Sequence, residues 1–135
     1  MMSAALAVQK AIRDRLVDTP AVTELVPADA ILDRNKRPVP TPSIILGEVQ
    51  VVDDGESIAR RRERVIHTVH VWKKEASLAG VNAILGTIRA ALTERLVLGE
   101  GWHCGDSRVS GMRTLRDPDG ETSHGVITIE VEVTR

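Results

Sequence analysis

The chain has 135 residues, with 18 Lys and Arg against 19 Asp and Glu and a formal net charge of −1. That length fits a single domain over residues 1–135, and the near-balance of charge excludes a global polyanion-binding surface. There is no Phe or Tyr and there are two Trp, so the core has to be built from Val, Ile, Leu and Ala, a composition that oligomerisation would help to stabilise.

The lone cysteine, Cys104, excludes an intrachain disulfide and a Cys-rich zinc site. No basic segment followed by an apolar run opens the chain, and no stretch reaches the roughly 18 apolar residues of a membrane span. The sequence therefore predicts a protein made in a cytoplasm, without membrane contact.

Ser3 is placed to cap a helix over Ala4–Val17, in which Ala5, Val8, Ile12 and Leu16 recur at helical spacing while Lys10, Arg13 and Asp14 point elsewhere. Thr19-Pro20 restarts the pattern, as N-cap and first helical residue, for a short helix reaching Leu25, and Pro27 ends it. Ile31-Leu32-Asp33 reads as a short edge strand. The basic segment Arg34 to Pro42 carries Pro38, Pro40 and Pro42 at alternate positions, which blocks ladder hydrogen bonds and predicts a stiff, extended loop. Ser43–Val52 follows as a strand, with Ile45, Val49 and Val51 expected on one face and Leu46, Glu48 and Gln50 on the other.

Residues Glu56 to Arg64 include Arg60, Arg61, Arg62 and Arg64, a hairpin loop running into the β-rich stretch Val65–Trp72. Alternation puts Val65, His67, Val69 and Val71 on one face, which reads as core, and Ile66, Thr68, His70 and Trp72 on the other. His67 and His70 thus point to opposite sides and are not expected to share a metal ion. Ser77 is positioned as N-cap of a second major helix, whose apolar stripe runs Leu78, Val81, Ile84, Leu85, Ile88, Leu92, Leu96. After Gly99-Glu100-Gly101, strands over Arg108–Arg116 and Thr122–Thr134 are joined by Asp117-Pro118-Asp119-Gly120, with proline preset for the first bend and Asp-Gly tolerating positive φ. The order α-(short α)-β-β-β-α-β-β lacks regular βαβ alternation and indicates an α+β fold, a mostly antiparallel sheet with two main helices packed on one face.

Chemistry is sparse. No Gly-rich phosphate loop or dinucleotide fingerprint is present, and His103 and Cys104, adjacent in an extended segment, point apart. Arg116, Asp117, Asp119, Glu121 and His124 crowd the last turn, where an acid/base or metal site competes with a solvated hairpin tip shaped by Asp and Gly; the tip is the commoner outcome. The arginine run has the charge to grip phosphates but lacks the aromatic residues that stack single-stranded bases. Trp72, of a residue type enriched at interface hot spots, makes its mixed strand face a candidate contact surface.

Two segments together resemble the tail completion, or tail terminator-like, family of tailed phages, prophages and gene transfer agents: His70-Val71-Trp72 leading into an Ala/Leu-rich helix, and Leu115-Arg116-Asp117-Pro118-Asp119-Gly120-Glu121-Thr122-Ser123-His124-Gly125-Val126. The helix Leu6 to Leu16 and the proline-rich lead into Ile44-Ile45-Leu46-Gly47-Glu48 extend the resemblance over nearly the whole chain. It departs in having Ile44 where an aromatic often follows the prolines, and in its long Arg-rich loop. The resemblance implies a small α+β subunit of a ring, typically hexameric, that caps the tail tube and presents a surface to the head-tail connector or stopper protein. It implies no catalytic residues, cofactor, metal or small-molecule substrate, and assembly in the host cytoplasm before residence in the particle tail. Expected contact residues are Thr68, His70 and Trp72 on the strand, Arg60, Arg61, Arg62 and Arg64 facing a neighbour or non-specifically touching DNA in the lumen, and Arg116, Asp117, Asp119 and His124 at the last turn. The alternative is a small nucleic-acid-binding or regulatory domain using the basic loops Arg34 to Arg37 and Arg60 to Arg64.

Overall fold

The alternating stretch of valines becomes the middle of the sheet. In the computed structural model, which describes residues 2–35, 39–53, 55 and 61–135, strand β3 (Arg62–Lys73) lies between β2 (Ser43–Asp53) and β5 (Ser123–Thr134), antiparallel to both. Strand β4 (His103–Arg116) pairs antiparallel outside β5, and the two-residue β1 (Ile31–Leu32) pairs parallel with β2 at the opposite edge. The sheet order is β1-β2-β3-β5-β4, and the fold is α+β as the element order predicts.

Helix α1 (Ala4–Val17) starts where expected, with the Ser3 hydroxyl accepting the Leu6 N–H at 3.2 Å. It buries Ala4, Ala7, Val8, Ile12 and Leu16; Ala5, expected on that stripe, stays half-exposed. The short α2 (Pro20–Thr23) ends two residues before Leu25, and the Thr19 hydroxyl donates to the Arg15 carbonyl at 2.6 Å instead of capping α2. Helix α3 (Ala79–Ala91) begins after Leu78, so Ser77 is not its N-cap in the strict sense. The Ser77 hydroxyl still accepts the Ala79 N–H, and the Glu75 carboxylate accepts that of Gly80.

Helix α3 stops at Ala91, so Leu92 and Leu96 are buried from outside the helix that their spacing predicts. Two side chains compete for the carbonyls there. Thr93 donates its hydroxyl to the Arg89 carbonyl, and the Arg15 guanidinium of α1 donates to Ala91, Glu94 and Arg95 carbonyls at 2.9–3.1 Å. One arginine thereby ties the two helices together.

Both helices cover the face of the sheet that carries Val65, Val69, Val71, Ile127, Ile129, Val131 and Val133, and with them form one core. His67 shares that face and is fully buried. Helix α3 comes close to β5 because residue 125 is glycine: a Cβ there would stand 2.7 Å from Val81 Cγ1.

Two strands depart from strict alternation. In β2 the register slips between Leu46 and Val49, leaving Gly47 and Glu48 opposite Thr68. Ile44 and Leu46 therefore enter the core while Ile45, paired with His70, lies on the opposite face, and Val49 and Val51 return to the helix side. The expected grouping of Ile45 with Val49 and Val51, and of Leu46 with Glu48, fails for that reason. Strand β4 begins at His103 rather than Arg108; bulges at Gly105 and Ser110 hide its period, although Cys104 is buried and pairs with Val133.

Candidate functional site

No helix among the described residues covers the second face of the sheet. Register alone lines up its side chains: Ile45, His70 and Val126 form one cross-strand row, Trp72, His124 and Leu115 the next. The Trp72 and His124 rings stack with centroids 3.7 Å apart, and His70 lies against His124 at 5.1 Å. His70 Nε2 is 2.6 Å from Glu48 Oε1, and His70 Nδ1 is 2.8 Å from His124 Nε2.

This geometry constrains the protons. With its Nε2–H given to the Glu48 carboxylate, a neutral His70 has only a Nδ1 lone pair to offer, so His124 donates. Burial, followed by the fields of His70 and Arg113, holds His124 protonation below the ordinary histidine range. Glu48 is held below the usual carboxylate range, first by a hydrogen bond from its own backbone amide and then by His70.

Above these rings the proline loop closes in. Val39, Pro40 and Thr41, with Asn35, Ile45, Trp72, Lys73, Lys74, Asp117 and Thr122, line an open pocket of about 440 Å³. Thr41 Oγ1 accepts the Lys74 N–H at 2.8 Å, fastening the loop to the end of β3. Ile45 is buried under this loop, although it lies on the face without helices.

The expected contact residues separate into groups. Thr68, His70, Trp72 and His124 share the open face, and by register Arg62 and Arg64 lie at its far end. Arg64 reaches Glu130 at 3.7 Å; Arg61 is exposed, and Arg60 lies outside the described residues. Arg116 faces the helix side, paired with Ser123, and its Nε donates to the Ala76 carbonyl at 3.4 Å.

Asp119 serves the turn itself, accepting the Glu121 and Thr122 N–H groups and the Thr122 hydroxyl. These bonds, that of the Glu121 amide foremost, lower its pKa. The turn therefore does not assemble an acid/base site with His124, which stacks on Trp72 instead. Among the described residues no three His, Cys, Asp or Glu side chains are arranged to hold a metal, and no helix is long and apolar enough to cross a membrane. Sequence reasoning missed Glu48 as the partner of His70; the glycine before it, inside a strand, was the signal of a bulge.

The sequence model of the family described as Tail completion protein gp17 matches residues 10–134. A chain from a structure entitled "Virion of native gene transfer agent (GTA) particle" superposes with a TM-score of 0.83 at 19% identity, covering 100% of both chains, so the two share a fold. Comparison with curated protein sequences gives no match. With the family model spanning almost the entire chain, this protein belongs to the tail completion protein gp17 family and is a structural protein of a phage-type tail.

Proposed function

We propose that the chain is a ring-forming tail terminator or completion subunit that caps the tail tube and joins it to the head-tail connector. The supporting observation is the one-sided sheet: helices bury one face, while the other carries the half-exposed rings of His70, Trp72 and His124 beside the charged rows of β3 and β5. Such a face suits a neighbouring subunit, in a contact of about 800 Å² per partner. In this reading six copies close a ring in the host cytoplasm and remain in the particle tail. Arg60, Arg61, Arg62 and Arg64 face the lumen or the next subunit and touch DNA through phosphates alone. The protein works through contacts, without turnover, cofactor or small-molecule substrate.

Light scattering over a concentration series, with and without purified tail tubes, tests this. The expected result is a closed ring in solution or on tube ends, weakened by Trp72→Ala. A monomer at every concentration that also leaves tube ends bare sinks the reading. For the arginines, replacing Arg61, Arg62 and Arg64 with Ser is expected to reduce assembly or DNA retention; if both stay intact, their assigned role is wrong.

A further inference from the structure

The longest unpaired edge of the sheet is unusual in its charge. Strand β4 pairs only with β5 among the described strands, whereas the opposite edge, β1, is two residues long. Edges of this kind are usually blunted by bulges or charges because their free N–H and C=O groups accept another strand. The bulges of β4 lie at Gly105 and Ser110 and leave Gly111–Arg116 in unbroken register with β5.

Within this run Met112 and Leu115 are 41% and 39% exposed. By register Met112 lies on the helix side, opposite Ile127, and Leu115 on the open side, opposite His124. A strand added here would cover one apolar side chain on each face. From Arg108 to Arg116 the strand carries three arginines and no carboxylate. Arg108 is engaged by Glu130 at 3.5 Å, and Arg113 and Arg116 are both exposed.

We propose that the edge Gly111–Arg116 of β4 is a docking site for an extended, acidic segment of a partner protein, added to the sheet as a sixth strand, with apolar residues over Met112 and Leu115 and carboxylates opposite Arg113 and Arg116. The backbone supplies generic ladder bonds, and the side chains supply the selectivity. A second copy of this chain is a poor occupant through β4 itself, because antiparallel pairing would bring two wholly cationic runs together, and like charges across strands are destabilising. The site borders the ring contact proposed above, sharing the row of Leu115 with His124 and Trp72, but engages the backbone edge of β4 and not the open face.

The test titrates the full chain with a synthetic peptide repeating Glu-Val-Thr, which in antiparallel register sets Glu against Arg116 and Arg113 and Val against Leu115 and Met112, while backbone amide exchange is followed. The expected result is saturable binding with new protection confined to Gly111–Arg116, and about tenfold weaker binding to the Arg113→Glu, Arg116→Glu variant. Peptides repeating Glu-Ser-Thr, or Lys-Val-Thr, should bind far less. Unchanged exchange in β5 shows that the variant remains folded, and Arg113→Ser, Arg116→Ser gives a milder check. Equal binding of the Glu-Ser-Thr peptide, protection elsewhere, no binding, or protection of β4 that rises with protein concentration alone overturns the proposal. Repeating the titration on Trp72→Ala separates its failure from failure of the ring reading.

Discussion

Trp72 and His124 lie flat against each other, with ring planes within 7°, on neighbouring strands whose register makes them direct cross-strand partners. The stack is half-exposed on the face that no helix covers. Its position lets one substitution separate folding from assembly. Trp72→Ala should cost about 1–2 kcal/mol of monomer stability in urea, and a double-mutant cycle with His124→Ala should return a coupling of about 1 kcal/mol. Loss of assembly should exceed that cost. A monomer that simply unfolds would assign Trp72 to the core.

His67 makes stability depend on pH. It is fully buried with Nε2 unpartnered, its Nδ1 lies 3.2 Å from the Thr68 carbonyl, and burial pushes its pKa below the ordinary 6.5. The unfolded chain therefore takes up a proton that the folded chain refuses. Stability should be full above pH 6.5 and fall as pH drops below it, by up to about 1.4 kcal/mol per pH unit for one proton. His67→Leu should flatten this slope in thermal melts between pH 5 and 7.5. The lowered pKa of His124 acts in the same direction, so a residual slope should vanish with His124→Gln. An unchanged slope in the double variant would place the sensitivity elsewhere.

Arg15 holds three carbonyls at the end of α3. Removing it in Arg15→Met should cost about 2 kcal/mol, as expected for charge-assisted hydrogen bonds in a partly buried setting. Arg15→Lys should recover only part of the loss, because an ammonium lacks the planar fork. Urea midpoints of the three chains measure the difference, and full recovery by lysine would reduce the interaction to charge.

Gly125 of β5 packs directly beneath Val81 and Leu85 of α3. A methyl group there meets Val81 at 2.7 Å and Leu85 at 3.1 Å, so Gly125→Ala should destabilise by about 1–3 kcal/mol through overpacking. Gly86, with nothing within 4 Å of an added Cβ, provides the contrast: Gly86→Ala should stabilise α3 by roughly 1 kcal/mol. Equal effects at the two sites would contradict the packing account.

The features legible from sequence are those set within a few residues. The Ser3 cap, the stripe of Val8, Ile12 and Leu16, the alternation of Val65 to Trp72 and the Asp117 to Gly120 turn all follow from local backbone preference and burial period. So does the division of His67 from His70. Tertiary structure decided the rest. Only strand pairing shows that the Gly47–Glu48 bulge turns Ile45 away from Val49 and brings Glu48 to His70. Only helix packing shows Arg15 closing α3, or the Trp102 indole donating to the Met2 carbonyl at 2.8 Å across the fold. Periodicity records which face a side chain takes while the ladder is regular; which neighbour waits there, and where the ladder slips, depends on strands and helices distant in the chain.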